Sequence, residues 1–238
     1  MSDASANNKY KSLAKAALSN NPPDGCIDAS SLKKSVKLDI SVISRAYKAS
    51  KITEKQGKTL PSHLEWIADN YYIFEEKANE VLHSLKNHCR LQASVYLSGT
   101  KTPRLYNAFK EYFSMIDTAL DNSCVKAFIS ASDERTAASR PEFADYYSMQ
   151  LLFTAAVLSK VAETCSEILS NPFSSSQGEY AHELARCVVS LKYLAVHQFD
   201  KSFENCLTEE YLRQDPAGFY PVMTKETKDY YRSRIAYL

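Results

Sequence analysis

From about residue 31 onward the apolar residues recur every three or four positions, the period of helices with one buried face. Val36, Ile40, Ile43 and Tyr47 mark a first short helix. Ser62 and Glu65 have the spacing of a capping box, in which the serine oxygen takes a free amide of the first turn and the glutamate returns the favour. They open the most regular stripe in the chain: Leu64, Ile67, Ala68, Tyr71, Phe74, Ala78, Val81, Leu82 and Leu85. After Pro103, the residues Leu105, Phe109, Tyr112, Phe113, Ile116 and Leu120 predict the next helix, and Val125, Phe128 and Ile129 a shorter one. Ser139 with Glu142 forms a second box before a long helix reaching about Leu169. Ser176 with Glu179 forms a third, before Leu184, Cys187, Val188, Leu191 and Leu194, and another helix is expected over Phe203–Arg213. Convincing two-residue alternation is scarce. The expected fold class is therefore all-α, a bundle of about seven or eight helices with little or no strand. No repeat of fixed period argues for a solenoid.

The two ends depart from this pattern. Residues 1–30, rich in Ser, Asn, Asp and Pro, are expected to form a mobile tail ahead of a helical region over 31–238. At the other end Asp215–Pro221 reads as a turn, and Thr224 is placed to cap a helix from Lys225 onward. Tyr231, Ile235 and Leu238 then fall at i, i+4 and i+7, so an apolar stripe runs to the last residue with no glycine cap or proline stop. The expectation is a piece of a larger protein, with the rest of this packing surface elsewhere.

Composition narrows the function classes. A net charge of +1 leaves no electrostatic footprint for nucleic acid or an anionic membrane. Five glycines are too few for a phosphate-binding α/β fold. The six cysteines are scattered singly, several among apolar helical positions, which fits a reducing cytoplasm better than a disulfide framework. Met1–Asn21 lacks the apolar core of a secretory signal. The longest apolar run, Leu151–Leu158, is far short of the roughly 20 residues that cross a bilayer.

Candidate chemistry is sparse. Glu80-x-x-His83 and Glu179-x-x-His182 repeat the pairing that di-iron bundles use, but at about 100° per residue both pairs lie opposite the apolar stripes of their helices. Solvated faces are the preferred reading, and no metal ligand is assigned. His83, His88 and Cys89 are close in sequence at spacings unsuited to zinc. There is no G-x-S-x-G elbow, no P-loop, and no D-x-D pair to hold the metal and diphosphate of a nucleotide sugar. Trp66 and the tyrosine pairs Tyr71-Tyr72, Tyr146-Tyr147 and Tyr230-Tyr231 have the chemistry to stack on sugars, yet at helical spacing they read as core and amphipathic surface. Lys33–Lys37 reads as a solvated face. No catalytic or cofactor-binding residue is assigned.

Two segments nevertheless resemble a known family. Leu60-Pro61-Ser62-His63-Leu64-Glu65-Trp66, continuing to Glu75-Glu76, resembles a segment near the start of the cyclic β-1,2-glucan synthases. Leu212-Arg213-Gln214-Asp215-Pro216-Ala217-Gly218-Phe219-Tyr220, with Met223, Thr227, Asp229, Tyr231 and Arg232, is similar to a second, with Lys228 where the family usually has arginine. Between them Thr102–Tyr106, the long helix from Pro141 and Ser190–Glu204 match more loosely, with Phe199 where tryptophan is expected. The likeness covers about residues 36–238. In that family a helical region of this kind precedes a membrane-embedded transferase that builds a β-1,2-linked chain from UDP-glucose, and a phosphorylase-like region further along trims it. The resemblance implies a non-catalytic N-terminal helical portion that packs against or positions the transferase, cytoplasmic and at the inner membrane through its parent. It implies no cofactor in this chain. Its expected partner is the catalytic remainder of the same protein or the product of a split gene. The residues expected to make that contact are Asp215, Pro216, Gly218 and Tyr220 of the turn, with Tyr231, Ile235 and Leu238 of the following stripe. Two other readings stay open: a free-standing helical interaction module, and a self-contained enzyme of the di-iron or carbohydrate-active kind.

Overall fold

The computed structural model describes residues 3–20, 29–87, 97–98, 102–136, 146–171, 176–197, 218–224 and 227. Among these, seven helices follow one another: α1 (Asp3–Asn20), α2 (Ala29–Lys55), α3 (Ser62–Asn87), α4 (Arg104–Met115), α5 (Asn122–Thr136), α6 (Tyr146–Ser170) and α7 (Gln177–Val196). The extended structure described is one two-residue ladder, with Leu97 and Ser98 of β1 (Leu97–Ser98) opposite Pro103 and Thr102 of β2 (Thr102–Pro103). The chain is all-α.

The organising element is α6. From Leu151 to Ser159 every residue is buried, so this stretch of the helix has no solvent face. Its near-continuous apolar run, too short to span a membrane, is what a helix surrounded by other helices requires. It packs against α2, α3, α4 and α7, while α2 also packs on α3 and α3 on α7. Phe153 of α6 stacks on Phe109 of α4 with ring centroids 3.6 Å apart. Phe128 of α5 meets both rings edge-on, at 5.2 Å and 5.5 Å. Together these aromatics form an apolar layer that joins three helices by ring packing. No helix is long and apolar enough to cross a membrane among the described residues.

The opening segment departs from the expected mobile tail, because residues 3–20 are helical. Ala14, Ala17 and Leu18 are buried and Tyr10 and Leu13 pack beside them, a stripe at i, i+3, i+4, i+7 and i+8 that seats α1 on α4 and α5. Small alanines and surrounding polar residues kept the mean hydropathy low while the period was helical.

Helix ends show where local rules held. Gly57, at φ +67°, follows α2 and donates its amide to the Glu54 carbonyl at 3.0 Å, a left-handed stop that glycine adopts without strain. At α3 the Pro61 carbonyl accepts from the amides of Leu64 and Glu65, so Pro61, whose φ is already fixed near the helical value, caps the helix one residue before the expected Ser62. Ser176 does sit at the N-cap of α7, but its side chain makes no capping hydrogen bond. The Ser139–Glu142 box lies outside the described residues. A capping pair that was not expected opens α5: the Cys124 amide donates to Asp121 Oδ1 at 2.9 Å, and the Asp121 amide reaches back to Cys124 Sγ at 3.1 Å. Here a buried thiol takes the place usually held by glutamate.

The α4–α5 connection is pinned from α7. Arg186, buried at 6 % exposure, donates through one guanidinium nitrogen to the carbonyls of Phe113 and Ile116 at 2.9 and 3.0 Å, satisfying the open end of α4. Its other nitrogens hold Glu183 at 2.6 and 2.9 Å, and the guanidinium lies 3.9 Å from the Phe113 ring centroid. Ser190 accepts the Leu120 amide at 3.0 Å and Tyr193 donates to Asn122 at 2.7 Å, one and two turns further along α7.

Candidate functional site

The segment singled out by the resemblance is described over residues 218–224. Gly218 takes φ +67°, the left-handed conformation a tight turn needs and which other residues adopt only under strain. Tyr220–Val222 form a single 3₁₀ turn. Tyr220 is 2 % exposed and anchors it, whereas Phe219 and Val222 are 64 % and 79 % exposed. The expected contact residue Tyr220 is thus turned inward, and the outward apolar surface belongs to its neighbours, which the sequence reading did not single out. The Thr227 amide donates to Thr224 Oγ1 at 3.4 Å, the contact an N-cap threonine makes, and the two hydroxyls lie 3.0 Å apart; apart from Thr227, the helix expected from Lys225 lies outside the described residues. Asp215, Pro216, Tyr231, Ile235 and Leu238 lie outside the described residues.

The two E-x-x-H pairs occupy solvated faces. Glu80 and His83 are exposed on α3, and Glu80 accepts from Lys77 at 2.6 Å. Glu179 and His182 are exposed on α7, at the edge of a cleft of about 500 Å³ shared with Lys160, Thr164 and Glu167 of α6. Among the described residues no group of three or more His, Cys, Asp or Glu side chains is placed to hold a metal, at either pair or elsewhere. His63, in the first turn of α3, is 1 % exposed with Nδ1 unpartnered among the described residues, and burial lowers its pKa so that it stays neutral. Its ring meets that of Tyr180 edge-on at 6.2 Å. His88 and Cys89 lie outside the described residues.

Cys124, Cys165 and Cys187 are buried free thiols. Burial pushes the first two up to about 12 and the third higher, so all three stay protonated and unreactive at neutral pH.

A polar seam between α2, α4 and α6 escaped the sequence reading. Each helix contributes two residues one turn apart: Ser35 and Asp39, Tyr106 and Lys110, Ser159 and Glu163. In the lower storey the buried Tyr106 hydroxyl is hydrogen-bonded to Ser159 and Ser35. In the upper storey Lys110 Nζ lies 2.5 Å from Glu163 Oε1. Burial alone would lower the Lys110 pKa, but the hydrogen bond and charge of Glu163 outweigh it and the ammonium is held up. Asp39 is pushed up to about 6 by burial, with Lys110 pulling it back and Glu163 pushing it further. Its Oδ2 is buried without a hydrogen-bond partner among the described residues. The available signal was three i, i+4 polar pairs, two of them beginning with a serine, set at the margins of apolar stripes.

Chemically, the described residues offer a closed apolar body, a half-buried polar seam, a shallow polar cleft and one exposed apolar turn. No protein-family model, curated protein or solved structure matches the chain.

Proposed function

We propose that the chain is a non-catalytic helical scaffold that works by packing against another polypeptide, as the N-terminal helical region of a cyclic β-1,2-glucan synthase-like protein packs against or positions its UDP-glucose-dependent transferase. The observation that carries this reading is the turn after Gly218. Tyr220 is driven into the protein while Phe219 and Val222, three residues apart, are left in water. Two large apolar side chains on a turn anchored by a buried tyrosine are the kind of surface that becomes buried at a protein contact. The turn also belongs to the segment on which the family resemblance rests, and it leads into the Tyr231, Ile235 and Leu238 stripe. Cysteines held as protonated core residues and E-x-x-H pairs on solvated faces agree with a packing role.

The test is binding of the purified chain to the detergent-solubilised transferase portion of a cyclic β-1,2-glucan synthase-type protein. The expected result is saturable association that the double substitution Phe219→Ser, Val222→Ser weakens at least tenfold while the helical circular-dichroism signal is kept. Equal binding by the double variant would remove the turn from the contact, and absence of binding by the native chain would overturn the scaffold reading.

A further inference from the structure

The seam between α2, α4 and α6 carries a charge imbalance that its surroundings do not. Its lower storey is neutral and hydrogen-bonded within itself. Its upper storey holds two carboxylates and one ammonium, and the ammonium of Lys110 is committed to Glu163 at 2.5 Å. Lys160 of α6 also approaches Glu163, at 3.8 Å. Asp39 is left with a buried Oδ2 that no donor meets among the described residues. An ionised carboxylate in that position keeps a buried oxygen without a hydrogen bond, which is costly, and the Lys110 charge offsets only part of that cost. A protonated one is neutral, and the same atom becomes able to donate. The native packing of α2 therefore discriminates between the two protonation states.

We propose that the Asp39 carboxyl is the proton-binding element of a clamp in which uptake of one proton tightens α2 against α4 and α6. The groups that act on Asp39 come from both partners: Lys110 from α4 and Glu163 from α6, with Tyr106 of α4 sensing its charge. From α3, which also packs on α2, the charged group that reaches that helix is Asp69, and it acts on Lys51, about three turns from Asp39. Thr102 and Pro103 of β2, which also packs on α2, bring no ionisable side chain. With the folded carboxyl at about 6 against the ordinary value of 3.8, the folded state holds the proton more tightly than the unfolded chain. The contribution is complete below the unfolded value and is lost as pH rises through the folded one. Opening of α2 should therefore become about tenfold rarer between pH 7 and pH 5.

Two measurements on the full chain test this. Carboxyl carbon NMR of the aspartate-labelled protein, with the resonance assigned by its loss in Asp39→Asn, should give a midpoint near 6 that Glu163→Gln lowers and Lys110→Met raises. Hydrogen exchange, corrected for its intrinsic pH dependence, should show α2 amides gaining about tenfold protection from pH 7 to pH 5 in the native chain and no such gain in Asp39→Asn. An Asp39 midpoint near 4, or α2 protection that follows pH equally in both proteins, would overturn the proposal. If Asp39→Asn does not fold, the Glu163→Gln shift of the α2 protection profile toward lower pH serves as the same test, and its absence would overturn the proposal too.

Discussion

Helices α4 and α6 meet twice, through two surfaces of opposite character. On one, Phe109 and Phe153 stack and Phe128 closes the group from α5, a layer with no charge and no bond to align. On the other, Tyr106 and Lys110 face Ser159 and Glu163, joined by hydrogen bonds and one ion pair, with Asp39 of α2 beside them. The aromatic layer draws its stability from area removed from water and from tight packing, so it responds to volume. The seam roughly balances desolvation against pairing, so it responds to charge and pH. The same pair of helices can thus be held firmly by one surface and adjusted through the other.

The sharpest way to break the comparison is through the apolar layer. Phe153→Ala removes a fully buried ring from a stack of three and is expected to cost about 3–5 kcal/mol in urea denaturation, with little dependence on pH. Arg186→Ala leaves Glu183 and the carbonyls of Phe113 and Ile116 without their donor, and breaking such a buried group is expected to cost about 3 kcal/mol. Arg186→Lys should recover only part of it, since one ammonium cannot reach both the carboxylate and the helix end as a planar fork does.

Asp39→Asn has the opposite sign. Because the folded carboxyl lies at about 6 and the ordinary value is 3.8, ionised Asp39 destabilises the fold at neutral pH, by at most about 3 kcal/mol. The substitution should therefore stabilise the protein at pH 7.5, with a gain that shrinks toward zero near pH 4. His63 works the other way: burial lowers its pKa, so its protonation below about 6.5 favours the unfolded chain. A double-variant comparison with His63→Gln separates the two profiles. The smallest effect belongs to Asp121→Ala, which removes the cap of α5 beneath the aromatic layer and should lower the melting stability by about 1 kcal/mol.

The apolar layer was legible in the sequence and the seam was not, for the same physical reason. Phe109, Tyr112, Phe113 and Phe128 fall on helical stripes that hydrophobic period alone identifies; α5 lies where that period placed it, while α4 stops at Met115, short of the expected Ile116 and Leu120. Glu80, His83, Glu179 and His182 were likewise readable as solvated, since their angular position set them opposite the stripes. Asp39 and Lys110 look like any solvated residues along a helix. Only the convergence of three helices gives them partners, and convergence leaves no mark on a single helix. Helix α1 was missed because a stripe built from Ala14, Ala17 and Leu18 is weak by hydropathy although regular in period. At the terminal turn, Gly218 and the Thr224 cap were legible as local chemistry. The inward rotation of Tyr220, and with it the exposure of Phe219 and Val222, depends on tertiary packing.

The most direct measurement on the proposed function is incorporation of glucose from UDP-glucose into β-1,2-linked glucan, with the chain alone, with the transferase portion of a cyclic β-1,2-glucan synthase-type protein alone, and with both. A scaffold predicts no product from the chain alone and more product, or a longer-lived activity, from the mixture than from the transferase alone. Glucan made by the chain by itself, or a transferase indifferent to its presence, would contradict the account.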